Sequence, residues 1–416
     1  MGKKVVIIGG GIVGLCCAYY LQNEGHNVIL VDKSSMNSGA SYVNAGYLTP
    51  SHIVPLAAPG MISKGLKYMF NSASPFYMKP RLESDFLKWA WAFKKSSTPR
   101  KVKTAMPIIR DINLLSRDLY DDLKNNPDLG GFHYERKGLL MYFQTNKEGD
   151  HEIKTSQEAK KLGLESNILD KEGIKEVETG VSVNAIGAVH YHCDGHTTPV
   201  NFMEKMKSYL LANGVQILKD TEVVDFGIEA QKLKSIKTKT EEIDADHVVF
   251  AAGSWTKNLS RKLDLNLLLE AGKGYRIDVS ESTGITMPAI LLEAKMAVTP
   301  MQGFTRFAGT MEFSGVNHHI RKERVDAIAS GAEEFYEGLK IATEFKQSAQ
   351  CGLRPVSPDG LPYIGPVKNL KNLTIATGHA MMGWSLGPAT GKLVAELVSE
   401  KKPSLDISPY HPLRKF

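Results

Sequence analysis

The feature that most constrains this chain is a cluster of glycines directly after a short apolar strand. The sequence begins MGKKVVIIGGGIVGLCC, so Gly9, Gly10 and Gly11 separate the apolar run at 4–8 from an apolar helical pattern that ends at Gly25. The stretch HNVILVDK then predicts a second strand. The first 33 residues therefore form a β-α-β unit, whose crossover helix makes the two strands parallel.

The glycines match G-x-G-x-x-G, the spacing that binds a dinucleotide between a strand and a helix. Gly9 permits the tight turn, Gly11 lets the backbone approach a pyrophosphate, and Gly14 lets the helix pack closely on the sheet. The N-terminus of the helix attracts the negative charge of the phosphates. A glycine-rich turn in some other α/β protein is the alternative explanation.

An acidic residue stands where a ribose is bound in such sites. Asp32 lies 18 residues after Gly14, and its carboxylate can accept hydrogen bonds from ribose hydroxyls. Arginine is absent at this point, which disfavours a 2′-phosphate. The sequence therefore predicts a dinucleotide site, with further contacts from Ile12, Val13 and Lys33.

Composition narrows the class of protein. The 416 residues carry a formal charge of +6, with 42% hydrophobic and 23% charged residues, which is ordinary for a globular protein and argues against a dedicated nucleic-acid binder. The four cysteines show no CxxC spacing, which indicates a reduced, cytoplasmic protein. Glycines interrupt the apolar stretch at 5–21 and no cleavage site follows, so neither an export signal nor a spanning helix is expected.

The order of predicted elements indicates an α/β fold. Parallel-type units near both ends of the chain alternate with β-rich stretches, which predicts a Rossmann-type domain assembled from discontinuous segments, with an inserted α+β substrate domain around a mixed or antiparallel sheet. The boundaries we predict are 1–50, 185–262 and 346–416 for the dinucleotide-binding domain, and 51–184 and 263–345 for the substrate-binding domain.

Five sequence blocks decide between flavin and nicotinamide. They are GGGIVG, GASYVNAG (39–46), FAAGSWT (250–256), GLRPVSPDGLPYIG (352–365) and GHAMMGWSLGPATG (378–391). Together they resemble the FAD-dependent family that includes D-amino acid dehydrogenases, glycine oxidase, sarcosine oxidase and D-amino acid oxidase. The stretch NAGYLTPSHIVPLAAPG resembles the D-amino acid dehydrogenase branch most. The resemblance implies noncovalently bound FAD.

The resemblance also implies contacts with the cofactor. Ser41, Asn44, Ala45 and Gly46 would lie along the isoalloxazine ring, and Val223, Gly253 and Trp255 would lie near the adenine and the phosphates. Pro388 stands at the start of a helix, so backbone N–H groups at Gly383, Trp384 and Ser385 would stabilise the reduced flavin. Each stretch taken alone could instead be a loop turn, a strand end or a helix start without a ligand.

The substrate side of the site rests on four residues. Arg354 matches the arginine that grips the substrate carboxylate in D-amino acid oxidase-like enzymes, and a guanidinium suits that task because it donates two parallel hydrogen bonds. Tyr275 is a second carboxylate contact or a pocket wall by the same resemblance. His379 and His52 are candidates for contact with substrate or flavin. A surface ion pair, a packed tyrosine and loop hydrogen bonds are the respective alternatives.

The reaction implied is dehydrogenation of a D-amino or cyclic imino acid such as D-alanine, D-proline or hydroxy-D-proline. Hydride would pass from the α-carbon to flavin N5, and electrons would continue to a quinone or another carrier. We find no convincing acid/base pair in the sequence, and a neutral amine nitrogen does not require one. An oxygen-using oxidase of the glycine or sarcosine type, which forms peroxide, and a flavin-binding subunit without turnover remain the alternatives.

Two further features bear on cofactors. His318 and His319 are adjacent and would diverge, and without a third ligand they make a poor metal site, so no metal is expected. Cys351 lies near the position at which sarcosine oxidases attach flavin to a cysteine, but the match is imperfect and noncovalent FAD is favoured.

The segment 61–103 mixes basic and aromatic residues. It carries ten Lys or Arg against two acids, interleaved with aromatic side chains. This pattern suits peripheral contact with an anionic membrane surface at which a quinone could collect electrons. A helix pair packed on its own core with a solvated basic face is the alternative.

Overall fold

The computed structural model describes residues 2–60, 74, 76–79 and 81–416. The α-helices in these ranges are Ile12–Asn23, Ala40–Val43, Ser84–Ser96, Pro99–Asn125, Asn146–Lys161, Lys171–Val177, Pro199–Ala212, Thr256–Arg261, Lys322–Phe335, Thr343–Gln347 and Gly387–Val398. Short 3₁₀ turns lie at Gly253–Trp255 and Ser408–Tyr410.

A twisted sheet of parallel strands holds the glycine cluster. Its strands, in spatial order, are Gln216–Leu218, Asn27–Val31, Lys4–Ile8, His247–Phe250, Leu370–Thr377 and Tyr363–Val367. Each neighbouring pair is parallel except the last, which is antiparallel. The Val- and Ile-rich strands are buried on both faces, as helix-covered parallel strands must be. The Rossmann-type fold from discontinuous segments is therefore confirmed.

Small residues let the helices lie close to this sheet and to each other. A Cβ at Gly14 would come within 1.8 Å of the Gly9 carbonyl oxygen, and one at Gly391 within 2.5 Å of the backbone of Cys16. The first helix, Ile12–Asn23, thus contacts the last helix, Gly387–Val398, at backbone distance. The two ends of the sequence meet around the same phosphate-type turn.

A larger mixed sheet forms the other half of the described molecule. Its strands, in spatial order, are Gln350–Val356, Glu270–Val279, Phe304–Phe313, Met296–Met301, Ala289–Leu291, Leu139–Phe143, Gly187–Tyr191 and Ser166–Leu169, and Phe76–Met78 pairs beside Phe304–Phe313. Most pairs are antiparallel, whereas Ala289–Leu291 with Leu139–Phe143 and Phe304–Phe313 with Phe76–Met78 are parallel. The expected mixed sheet is confirmed.

Two small sheets complete the described strands. One consists of Val223–Glu229, Lys232–Thr238 and Glu242–Asp244, and the other of Tyr47–Leu48, Gly195–Thr197 and Tyr134–Glu135. The second joins three chain segments that lie far apart in sequence. It sits directly after the loop 44–46, which the sequence places beside the cofactor.

Two elements lie elsewhere than the predicted domain boundaries suggest. Strand Gly187–Tyr191, which we assigned to the dinucleotide-binding segment from 185, pairs with Leu139–Phe143 in the larger sheet. Helix Pro99–Asn125, assigned to the substrate domain, packs Ile109 and Tyr120 into the core beneath the parallel sheet. The division into domains stays a prediction, and we propose that these two elements change sides. Across the residues that the structure describes, no helix is both long and apolar enough to traverse a bilayer.

Candidate active site

A cavity of about 780 Å³ lies at the carboxyl ends of the central parallel strands, where open α/β sheets bind ligands. Fifteen of the residues singled out from the sequence line it: Gly9, Gly11, Ile12, Val13, Asp32, Lys33, Ser41, Asn44, Val223, Gly253, Trp255, Arg354, His379, Gly383 and Trp384. The remaining six, Gly14, Ala45, Gly46, Ser385, Tyr275 and His52, are not among the described lining residues.

The glycine turn leaves room for a ligand at the start of the first helix. Gly9 has a φ of +110°, and a Cβ there would lie 2.5 Å from the Ala251 carbonyl oxygen, so only glycine fits. Ser41 Oγ accepts a hydrogen bond of 2.9 Å from the Ile12 N–H. Asp32 Oδ2 accepts one of 2.6 Å from the Gly10 N–H. The acid and the turn are therefore built as one unit.

One end of the cavity carries a cation above an aromatic ring. Lys33 Nζ lies 4.0 Å from the centre of the Trp255 ring, and burial lowers the pKa of this lysine. The His318 ring stacks near the same indole, with 6.1 Å between ring centres and 16° between planes. This end offers flat surfaces and positive charge, which suit a nucleotide.

The loop Asn44–Gly46 is fixed by the larger sheet. Arg306 Nη1 donates a 2.6 Å hydrogen bond to the Asn44 carbonyl oxygen, and Thr299 Oγ1 donates one of 2.8 Å to that of Ala45. Gly46 has a φ of +77°, and a Cβ there would lie 2.2 Å from the Thr197 carbonyl oxygen. Asn44 faces the cavity, while Ala45 and Gly46 set the path of its backbone.

Arg354 presents a positive charge to the cavity. Its Nη1 donates a 2.8 Å hydrogen bond to the Thr310 carbonyl oxygen, and no carboxylate of the described residues lies within ion-pair distance of it. Burial lowers the pKa of Arg354 to about 10, so the guanidinium is charged at neutral pH. Such a group, half-buried and without a counter-ion, suits an anionic ligand.

The position of Arg354 depends on a glycine that the sequence argument overlooked. Gly274 lies on the neighbouring strand, and a Cβ there would come within 2.3 Å of Arg354 Nη2. The guanidinium therefore rests on bare backbone. The signal was present in the sequence as KGYR, because a glycine inside a strand often marks close approach of another group.

Tyr275 needs correction as a cavity residue. Its side chain is buried on the opposite face of its strand from Arg354, and its hydroxyl donates a 2.7 Å hydrogen bond to Glu312 Oε2. Alternation along the strand turns Gly274 toward the cavity and Tyr275 away from it. Burial raises the pKa of Tyr275 as well, so the phenol stays neutral.

The two histidines separate. His379 lines the cavity, is buried, and hydrogen-bonds through Nε2 to Thr390 Oγ1 at 2.8 Å, while burial lowers its pKa to about 3. His52 is half-buried beside Ser51, outside the described lining, and burial lowers its pKa to about 4. Both rings are neutral at physiological pH, so neither supplies a cation there.

The last block is held by hydrogen bonds of its own. Trp384 Nε1 donates to Thr197 Oγ1 at 2.8 Å, and Ser385 Oγ donates to Asn113 Oδ1 at 2.6 Å. The Ala389 N–H, one of the first in the helix, donates to Ser116 Oγ. Only Gly383 and Trp384 of the three predicted residues reach the cavity, and part of the helix N-terminus is already satisfied by protein groups.

Cys351 lines the cavity as well. Its thiol donates to the His318 carbonyl oxygen at 3.5 Å, and burial raises the pKa of the thiol. A thiol with a raised pKa is a poor nucleophile, which favours the predicted noncovalent attachment.

These residues fit FAD. The glycine turn, the ribose-type acid and the positively charged, aromatic end occupy one elongated cavity with Arg354 and His379. The family model described as FAD dependent oxidoreductase matches residues 4–397. The chain therefore belongs to the FAD-dependent oxidoreductase family and is a flavoenzyme.

Particular relatives sharpen this placement. The chain is 31% identical over 400 residues to a D-amino acid dehydrogenase of Helicobacter pylori, with 95% of each chain covered. It is 30% identical over 415 residues to one of Granulibacter bethesdensis, with 97% of each covered. Glycine oxidase from Geobacillus kaustophilus has the same fold, with a TM-score of 0.78 over 100% of both chains at 21% identity.

Proposed function

We propose that this chain is an FAD-dependent dehydrogenase of D-amino or cyclic imino acids, such as D-alanine, D-proline or hydroxy-D-proline. The observation that carries the proposal is the charged Arg354, which faces the cavity without a carboxylate partner. The relatives named D-amino acid dehydrogenase support the same substrate class.

The proposed cofactor contacts follow from the cavity. Gly9, Gly11 and the start of the first helix would bind the pyrophosphate, and Asp32 would accept hydrogen bonds from the ribose. Val223, Lys33 and Trp255 would enclose the adenine end. Ser41, Asn44, Gly383 and Trp384 would border the isoalloxazine, and FAD would be held noncovalently.

Arg354 would bind and orient the substrate. A carboxylate on the guanidinium receives charge-assisted hydrogen bonds that fix both its position and its orientation. Gly274 keeps the space in which the guanidinium lies. The α-carbon of the bound substrate is thereby directed at the place where the cofactor accepts electrons.

The chemistry needs little proton transfer from the protein. FAD, when bound, supplies the acceptor, at N5, for the α-hydrogen and its electron pair. The amine must be neutral, since its lone pair forms the C=N bond as the hydride leaves. His379 is uncharged and buried, so it adds no positive charge that would oppose the developing iminium. The imine then hydrolyses in water to a 2-oxo acid and ammonia, or stays cyclic.

Electrons would leave to a quinone or another carrier, with peripheral contact on the inner face of the cytoplasmic membrane. Leu87 and Trp91, exposed by 51% and 58%, project from helix Ser84–Ser96, and Lys94 Nζ lies 5.5 Å from the Trp91 ring. Phe86 and Trp89 pack into the protein's own core, as the alternative interpretation required. Positions 61–73, 75 and 80 of the basic, aromatic segment lie outside the described residues.

An anaerobic substrate screen tests the proposal. The purified FAD-loaded protein is mixed with D-amino acids, D-proline, hydroxy-D-proline, their L-enantiomers and N-methyl glycines, and flavin absorbance is followed. We expect bleaching by the D-forms, slow reoxidation by air and fast reoxidation by a quinone analogue. Fast reoxidation by air with peroxide would indicate the glycine/sarcosine oxidase type instead. If no compound bleaches the flavin, the dehydrogenase proposal fails and a flavin-binding subunit is left.

A further inference from the structure

A second polar cluster lies apart from the cavity, in the small sheet of Tyr47–Leu48, Gly195–Thr197 and Tyr134–Glu135. The side chains of His133, Glu135 and His196 converge there, and one candidate ligand atom from each lies within 4.8 Å of the others. Glu135 pairs directly with His196 across the two strands, and His133 lies two residues earlier on the same face. We infer that this cluster binds a divalent transition-metal ion of the zinc type.

The state of His196 is the main evidence. The residue is completely buried, yet neither of its ring nitrogens has a hydrogen-bond partner among the described residues. A buried imidazole without a partner is costly, since both nitrogens are stripped of water. Its Nε2 lies 3.6 Å from Glu135 Oε2, and an ion between these atoms would satisfy it.

The distances are close to those of a metal site. His133 Nε2 lies 3.8 Å from Glu135 Oε1. Bonds of about 2.0–2.1 Å in a tetrahedral arrangement place neighbouring ligand atoms about 3.3 Å apart. The two nitrogen-to-oxygen distances therefore need to shorten by only a few tenths of an ångström.

His133 is also held in an orientation that suits a ligand. Its Nδ1 lies 2.8 Å from Thr198 Oγ1, which in turn accepts a hydrogen bond of 2.9 Å from the Gln302 N–H. The tautomer that donates from Nδ1 leaves the Nε2 lone pair directed at Glu135. Metal-bound histidines are commonly fixed in this way by a bond at the second nitrogen. Two imidazoles and one carboxylate match the ligand preferences of zinc, with water completing the shell.

Lys137 is the competitor for this place. Its ammonium lies 2.8 Å from Glu135 Oε2, and about half of its side chain is exposed, so it is free to move into solvent when an ion binds. The ion would tie Tyr134–Glu135 to Gly195–Thr197. Thr197 in turn receives the Trp384 indole and packs against Gly46, so the clip would hold the wall of the cofactor cavity.

The test is a zinc titration of the full FAD-loaded chain after treatment with a chelator and dialysis. A fluorescent chelator that competes for Zn²⁺ reports affinity, and metal analysis reports stoichiometry. We expect one equivalent per chain, an affinity at least about tenfold lower in Glu135→Gln and His133→Ala, and a higher affinity in Lys137→Gln, which loses the competing cation. His151→Ala, which removes an exposed histidine on helix Asn146–Lys161, serves as the matched control and should bind like the wild type.

A second measurement separates binding from folding. Zn²⁺ should raise the Tm of the wild type and leave that of Glu135→Gln unchanged, because a ligand stabilises only a state that it binds. Flavin absorbance and circular dichroism show whether each variant is folded. Wild-type protein that binds no zinc, or whose affinity falls no more in Glu135→Gln than in His151→Ala, would overturn the inference.

Discussion

The two faces of strand Glu270–Val279 treat positive charge in opposite ways. On one face, Lys273 and Tyr275 point to the buried Glu312, with Lys273 Nζ 3.2 Å from Oε1 and the Tyr275 hydroxyl 2.7 Å from Oε2. On the other face, Gly274 leaves space for Arg354, whose charge has no carboxylate among the described residues and faces the cavity. The first face has its counter-ion built in, and the second awaits one from a ligand.

This contrast distinguishes a structural cation from a binding one. Arg324 Nε lies 3.0 Å from the same Glu312 Oε2, so a single carboxylate serves two buried cations. Removing it strips both of their partner, whereas removing Arg354 strips no other described side chain of an ion pair. The two faces should therefore separate in experiment: changes on the Glu312 side alter stability, and changes on the Arg354 side alter substrate binding.

The largest effect is expected from Glu312→Gln. It leaves Lys273 and Arg324 buried without a negative charge, which should lower the free energy of unfolding by about 3–5 kcal/mol. Urea denaturation measures this. Glu172→Gln, which breaks an exposed i,i+3 pair with Lys175, is the matched control and should change stability by less than about 0.5 kcal/mol. A similar small loss in Glu312→Gln would show that the buried network is not structural.

The same carboxylate predicts a pH dependence. Burial alone would raise the pKa of Glu312, but hydrogen bonds from Ser314 and Tyr275 and the charges of Lys273 and Arg324 hold it below its usual 4.5. A depressed carboxyl pKa contributes stability above pH 4.5, and that stability is lost as the pH falls through the folded-state pKa. Between pH about 6 and 3, the wild type should therefore lose more stability than Glu312→Gln.

On the opposite face, Arg354→Ala should reduce kcat/KM by roughly 100-fold, chiefly through KM. Hydrogen bonds to a charged group contribute about 1.5–3 kcal/mol, and each 1.4 kcal/mol is about a tenfold change. FAD content and Tm should stay near the wild-type values. Arg354→Lys should recover only part of the loss, since an ammonium lacks the forked geometry. An unchanged KM in Arg354→Ala would remove the carboxylate assignment.

A smaller effect is expected from Gly274→Ala. The new Cβ would lie within 2.3 Å of Arg354 Nη2, and the mobile end of the arginine would have to move. We expect KM to rise about tenfold, the cost of misplacing one charged hydrogen bond, with stability nearly unchanged. Gly131→Ala, where a Cβ would meet nothing within 4 Å, is the control. A loss of stability without a change in KM would mean that the backbone, and not Arg354, gives way.

Local patterns in the sequence predicted the nucleotide end of the site well. The turn Gly9–Gly11, Gly14 and Asp32 lie within one β-α-β unit, where spacing alone fixes which groups meet. The resemblance to a family supplied Arg354 and the blocks near the other end of the chain. Neither source shows which face of a strand turns toward a cavity, so Tyr275 was placed on the wrong side.

Contacts set by long-range strand pairing were beyond the sequence. His133 and His196 lie 63 residues apart, and their meeting depends on the register of Tyr134–Glu135 against Gly195–Thr197. A shift of one residue would turn Glu135 to the other face. The adjacent pair His318 and His319 drew attention instead, although adjacency on a strand separates side chains.

The smallest expected effect, from Tyr275→Phe, decides most directly whether the two faces are independent. The variant loses one hydrogen bond to Glu312, which keeps its partners Lys273 and Arg324, so stability should fall by about 1 kcal/mol. KM should not change, because the hydroxyl points away from Arg354. Urea unfolding and steady-state kinetics on the same preparation measure both. A tenfold rise in KM with full FAD content and unaltered stability would place the phenol at the substrate and end the distinction between the two faces.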